Sequence, residues 1–194
     1  MAAGPFDRRG EWMTIIFLLE EPSMKEVLDI ILPKILPQDI VFKTIAHSGK
    51  SDLQESIPHK LKAWRQPDVK FVIVQDQDSA DCISLKQALL NLTSPSGREV
   101  LVRIVCRELE AWYFGDLQAV SQAYGKDITG LAQKKKYRNP DTIGNPKEEL
   151  RKLFPRHQQL DGARRIAAHM NLENNTSTSF QYFISGVQRL YKAE

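Results

Sequence analysis

The sequence predicts an α/β fold: a mainly parallel, four-stranded sheet flanked by helices, with a helical extension at the C-terminal end. Three observations lead there. Apolar, β-branched runs alternate with stretches of helical spacing through the first hundred residues. The runs are continuously apolar, as in strands covered on both faces. The last third carries helix starts and an amphipathic stripe, with no further strand pattern.

Each element follows in order. "TIIFLL" (14–19) is the first strand. "PSMKEVLDIILPKIL" then places Val27, Leu28, Ile31, Leu32 and Ile35 at helical spacing, with Ser23 as the expected N-cap. "DIVFKTIAH" (39–47) is the second strand, and "SDLQESIPHKLKAW" (51–64) a helix interrupted or kinked near Pro58. "KFVIVQD" (70–76) is the third strand and "SADCISLKQALLNL" the third helix. "SPSGRE" is a turn, and "VLVRIVC" opens the fourth strand. Strand and helix alternating at this spacing imply right-handed crossovers and a parallel sheet. Further on, Asn145-Pro146-Lys147-Glu148 has the form of a capped helix start, and Asp161 is placed to cap another. Phe180, Phe183, Ile184, Val187, Leu190 and Tyr191 form a stripe expected to pack on the sheet. The organisation expected is a loose tail over 1–13, an α/β core over 14–125 and a helical part over 126–194 packed on that core.

Composition narrows the class. The longest apolar run, Ile15 to Leu19, is far short of the ~20 residues that span a bilayer. The first dozen residues lack an export-type apolar segment, and Cys82 and Cys106 show no metal-binding spacing. A cytoplasmic protein, off the membrane, is the expectation. The net charge of +3 is unevenly spread: residues 1–100 hold 12 Lys/Arg against 14 Asp/Glu, and residues 101–194 hold 15 against 10. Lys134, Lys135, Lys136 and Arg138 lie in the most basic stretch and are the candidate contacts to a nucleic acid backbone; a solvated lysine-rich face is the other reading.

Two patterns are set aside. "HSGKS" (47–51) ends like a phosphate-binding loop but has Thr44 where that loop needs glycine, although Lys50 still stands at the strand rim. The four histidines show no metal-ligand spacing and are expected to be surface or hydrogen-bonded residues.

The chemistry lies at the strand ends, where parallel sheets bind ligands. Glu20 follows the first strand, Asp76 and Asp78 end the third, and Glu108 and Glu110 follow the fourth. Asp76 and Asp78, two apart on extended backbone, are expected to point to one side. Their repulsion needs a proton, a cation or open water. Mg²⁺ or Mn²⁺ suits such carboxylates, with Glu20, Asp76, Asp78 and Glu110 as its ligands and Glu108 with Glu110 as candidates for a second ion. Two ions of this kind serve phosphodiester cleavage. The competing reading is that Asp78 or Ser79 caps the third helix.

A glutamate ending the first strand and Asp-x-Asp ending the third resembles the TOPRIM fold of topoisomerases, primases and overcoming-lysogenization-defect nucleases. The stretches "FLLEEPSMKEVLDIILPKIL", "GKSDLQESIPHKLKAW", "VIVQDQDSADCISLKQAL", "VRIVCRELEAWYFGD" and "GARRIAAHMN…STSFQYFISGVQRL" more closely resemble a bacterial TOPRIM-like family, domain of unknown function 4276, from about Phe17 to Leu190. The resemblance implies that Glu20 is the general acid/base or a metal ligand, that Asp76 and Asp78 hold Mg²⁺, and that Glu108 and Glu110 complete the site. It implies a Mg²⁺-dependent nuclease acting on DNA or RNA beside an ATPase partner in antiphage defence, or a non-catalytic module that regulates such an ATPase. Homo-oligomerisation stays open. Two positions depart from the TOPRIM pattern: Glu21-Pro22 follow Glu20 where glycine is usual, and Asp81 stands in place of the glycine of Asp-x-Asp-x-x-Gly. A phosphotransfer receiver ranks last, because its key aspartate would occupy the place of Glu20.

Overall fold

The computed structural model describes residues 13–66 and 69–192. Of the expected tail over 1–13, all but Met13 lies outside the described residues. Four strands, β1 (Thr14–Leu19), β2 (Val41–Ala46), β3 (Lys70–Asp76) and β4 (Val100–Val105), form one sheet in the order β2-β1-β3-β4. Every pairing is parallel. The helices are α1 (Pro22–Ile35), α2 (Lys50–Ala63), α3 (Cys82–Thr93), α4 (Glu110–Phe114), α5 (Leu117–Tyr124), α6 (Pro146–Leu153), α7 (Gln159–His169) and α8 (Thr178–Lys192). The α/β class, the parallel sheet and the helical C-terminal region are as the sequence predicts.

Strand alternation sorts the apolar side chains into two cores. Ile15, Phe17 and Leu19 of β1 and Val72 and Val74 of β3 join α1, α4, α5, α6, α7 and α8 in the larger one. Ile16 and Leu18, with Phe71 and Ile73, join α2 and α3 on the opposite face. Coverage on both sides is why β1 and β3 are buried almost end to end and read as unbroken apolar runs. The stripe on α8 is core: Phe180, Phe183 and Val187 are buried. Trp112 of α4 meets it, with its ring centroid 5.1 Å from Phe180 and 5.2 Å from Phe183, and donates from Nε1 to Ser179 Oγ at 2.9 Å.

The chain approaches itself closely at Gly115, between α4 and α5. Thr176 N donates to Gly115 O at 2.8 Å, and Asn175 Nδ2 donates to Trp112 O at 2.8 Å. A Cβ on Gly115 would lie 2.0 Å from Asn175 Oδ1 and 2.8 Å from Ser177 N. Only glycine fits.

Several helix starts differ from expectation. Pro22 occupies the first turn of α1 after Glu21, and Ser23 is inside the helix instead of capping it. Asn145 makes no side-chain cap to α6, and Asp161 lies in the first turn of α7 behind Gln158. α2 continues through Pro58 from Lys50 to Ala63. Among the described residues, no helix is long and apolar enough to cross a membrane.

Leaving β1, the chain crosses to β2 on one face of the sheet. From β2 it returns over the other face, passing β1 to reach β3. β1 and β3 are therefore neighbours whose connections run in opposite directions. The cleft beyond their C-terminal ends is the topological switch point, where sheets of this kind bind ligands.

Candidate active site

Glu20 and Asp76 meet at this switch point. Glu20 N donates to Val74 O at 3.2 Å, which carries the β1–β3 ladder one step past the strand. Its carboxylate turns back and accepts from Asp76 N at 3.0 Å. Burial is the main cause of a Glu20 pKa raised to about 7; the Asp76 N–H opposes the rise, and the charges of Asp78 and Glu21 add to it. A carboxyl titrating there is able to give or take a proton near neutral pH.

Asp76 is 7 % exposed and ends β3. Its Oδ2 accepts from Leu109 N at 3.3 Å, while Oδ1 is buried and has no hydrogen-bond partner among the described residues. Burial, then the charges of Glu20, Glu110 and Glu21, hold its pKa well above the usual carboxylate range, against the pull of the Leu109 N–H. A buried carboxylate oxygen without a donor is costly as an anion unless a cation or proton reaches it.

Asp78 has a different backbone from Asp76. Extended backbone stops at Asp76, and Asp78 adopts a left-handed φ of 52°. The expectation that both aspartates point to one side is therefore corrected, because strand alternation no longer applies at the second of them. Asp78 N donates to Arg107 O at 2.7 Å, and its carboxylate pairs with Lys50 Nζ at 3.0 Å. The capping reading of this stretch is corrected as well. The N-cap of α3 is Asp81, whose Oδ1 accepts from Ser84 N and Ser84 Oγ, each at 2.8 Å. Both departures noted in the sequence thus serve helix starts: Pro22 opens α1, and Asp81 caps α3.

The loop after β4 wraps under these groups. Glu110 begins α4 and is 2 % exposed; burial is the main cause of its pKa rising to about 7, which the Lys147 charge offsets in part. Tyr113, one helical turn on, is buried and its pKa lies well above the ordinary phenol range, through burial and then the charges of Glu110, Glu21 and Asp76. Glu108 is held by α6: its Oε2 accepts from Lys147 N at 2.9 Å, so it occupies a free amide at the start of that helix. Lys147 Nζ lies 3.9 Å from Glu21 Oε2. Gln159 of α7 donates to both Glu21 carboxylate oxygens at 2.9 Å, and the Ser23 hydroxyl donates to Glu21 too. Glu108 and Glu110, two apart, both meet Lys147, Glu108 through that residue's backbone amide and Glu110 through its charge.

Among the described residues, no three His, Cys, Asp or Glu side chains gather in a metal-sized cluster. The donor chemistry still suits a hard divalent cation: the groups at the switch point are carboxylates, and Asp76 Oδ1 is an orphaned buried oxygen. Among the described residues, the expected nucleic acid contacts make no ion pair with these carboxylates. Lys134 and Lys135 are exposed, Lys136 pairs with Glu149 at 2.5 Å, and Arg138 donates to Gln133 O at 3.3 Å. The cations at the acid rim are instead Lys50, Arg107 and Lys147. Of these, Arg107 was not anticipated, and Lys147 was read only as part of a helix start. His47 is buried and hydrogen-bonded, with Nδ1 2.8 Å from Leu19 O and Nε2 2.7 Å from Ser56 Oγ, which ties the end of β1 to α2.

A family model described as Domain of unknown function (DUF4276) matches residues 19–188. The chain belongs to this family. The DUF4276 match spans every rim residue described above, from Glu20 through Lys147 to Gln159, and ends within α8. No match was found among curated proteins or among solved structures.

Proposed function

We propose that this DUF4276 chain is a TOPRIM-type nuclease, dependent on Mg²⁺ or Mn²⁺, that hydrolyses phosphodiester bonds of DNA or RNA. The observation that carries the proposal is Asp76 Oδ1, a buried carboxylate oxygen without a donor, beside Glu20 at the switch point of a parallel sheet. Glu20 and Asp76 would hold the ion, with Asp78 and Glu110 next to them. When bound, the ion supplies charge for a phosphoryl oxygen and lowers the pKa of a coordinated water. The chain's own contributions are separate. Glu20, ionised when it holds the ion, also accepts from Asp76 N and so fixes the end of β1 against β3. Lys50 restrains Asp78, and Lys147 balances charge around Glu21 and Glu110. A cytoplasmic setting, an ATPase partner and a role in antiphage defence are part of the same proposal.

A second reading, a non-catalytic module that regulates an ATPase, is favoured by the pairing of Asp78 with Lys50 and by the absence of a three-carboxylate cluster among the described residues. One experiment separates the two. Mg²⁺ and Mn²⁺ are titrated calorimetrically into the wild type and the Asp76→Asn/Asp78→Asn variant, with and without nucleic acid, followed by cleavage of labelled DNA and RNA. Binding by the wild type alone, with cleavage that is lost in the variant, is the expected result. No binding by the wild type under any condition refutes the nuclease.

A further inference from the structure

Arg107 stands in the left-handed region of backbone space, with φ 61°, in the loop between β4 and α4. Glycine takes that conformation freely, and aspartate tolerates it better than most residues. Its neighbour across the two loops, Asp78, is of the tolerant kind. Arginine is not, so the turn does not account for the residue chosen. The backbone bonds do not account for it either. Asp78 N donates to Arg107 O at 2.7 Å, and Arg107 N donates to Gln77 Oε1 at 3.2 Å. Any residue other than proline supplies both.

What sets Arg107 apart is its side chain. The residue is half-buried, and among the described residues its guanidinium makes one long hydrogen bond, 3.4 Å to Asp78 O. Among those residues no carboxylate lies within ion-pair distance of it. The other rim cations are engaged: Lys50 with Asp78, and Lys147 with Glu21. Among the described residues the acid rim thus keeps one cation in reserve, a planar fork of N–H donors matched to two oxygens of a phosphate group.

Resting on the nuclease reading above, we propose that Arg107 binds the scissile phosphodiester group of the nucleic acid, donating to its non-bridging oxygens beside Asp76 and Asp78. The strained backbone is kept because it carries the guanidinium to that place, the pattern expected where function outweighs local stability.

The test uses Arg107→Gly, which removes the guanidinium and relaxes the backbone, and Arg107→Lys, which keeps the charge without the fork. Each is compared with the wild type by thermal melting, by Mn²⁺ calorimetry, and by anisotropy of fluorescein-labelled DNA and RNA oligonucleotides in Mn²⁺ over a salt series, with strand integrity checked on a gel. Arg107→Gly is expected to melt at or above the wild-type temperature and to bind Mn²⁺ unchanged. Its affinity for at least one oligonucleotide falls about tenfold or more, and the slope of log affinity against log salt falls by about one. Arg107→Lys restores the slope but only part of the affinity. If Arg107→Gly holds Mn²⁺ and both oligonucleotides like the wild type, the proposal is overturned while the nuclease reading survives. A melting temperature well below the wild type assigns the arginine to holding the two loops together and overturns it too. If the wild type itself binds no Mn²⁺, the nuclease reading fails and takes this proposal with it.

Discussion

Replacing Glu110 with glutamine removes one buried negative charge beneath the acid rim and leaves the side-chain volume almost unchanged. Burial is the main cause of the rise in the pKa of this carboxyl from an ordinary 4.5 to about 7. The folded chain therefore holds the proton more tightly than the unfolded chain. The contribution to stability is complete below 4.5, falls as pH rises through the interval, and is gone above about 7. At ~1.4 kcal/mol per pH unit, the interval from 4.5 to about 7 amounts to about 3 kcal/mol. Glu110→Gln should match the wild type near pH 4.5 and exceed it by about 3 kcal/mol at pH 8, or roughly 6–12 °C in Tm for a chain of this size. Asp76 responds in the same direction, since the Glu110 charge is among the causes of its raised pKa, and the two titrate as a coupled pair. The assay is urea unfolding of both proteins in EDTA at intervals from pH 4.5 to 9, with m-values compared to confirm that the same transition is being read. A difference that does not change with pH, or a variant less stable than the wild type at pH 8, would refute the reasoning. Glu110 would then be an ionised and well-satisfied carboxylate.

Two further outcomes follow from the packing. Asp81→Ala should lower the urea midpoint at neutral pH by removing the α3 cap, and leave Mn²⁺ binding unchanged. Because the Ser84 bonds hold the Asp81 pKa below its ordinary 3.8, its deficit against the wild type should shrink as pH falls below that value. Gly115→Ala should destabilise by about 1–3 kcal/mol, read from urea unfolding, as the added methyl forces Asn175 and the Ser177 backbone away from α4.

The fold was largely legible because buried parallel strands announce themselves. The runs over 14–19 and 70–76 are apolar on both faces, and both became central strands. β2 also read as a strand, although it lies at the sheet edge with residues as exposed as Val41. α4 and α5 escaped. All five residues from Glu110 to Phe114 are buried, so the segment has no polar face to mark a helical period. Glu20 and Asp76 were legible as neighbours because the strand order brings the ends of β1 and β3 together. The position of Asp78 was not, since a single left-handed residue leaves no trace in spacing. Arg107 was hidden in the same way. Lys147 and Gln159 reach the rim from distant parts of the chain, and Asn145-Pro146-Lys147-Glu148 identified a helix start without revealing that Glu108 would occupy it.

The hydrogen bonds from Gln159 to Glu21 span 138 positions in the sequence, and that from Lys147 to Glu108 spans 39. Translation delivers these partners in a set order. All four strands leave the ribosome before α6, α7 or α8, so a nascent chain has the acidic strand ends early and lacks the elements that brace them. Until α8 arrives, Phe17 and Trp112 lack Phe183, and Trp112 lacks Phe180, the rings they pack on in the finished protein. The rim closes last. A chain interrupted after β4 would carry Glu20, Asp76 and Asp78 on a sheet covered by α2 and α3 on one face and by α1 alone on the other, so the bracing of this site by α6 and α7 waits for the last third of synthesis.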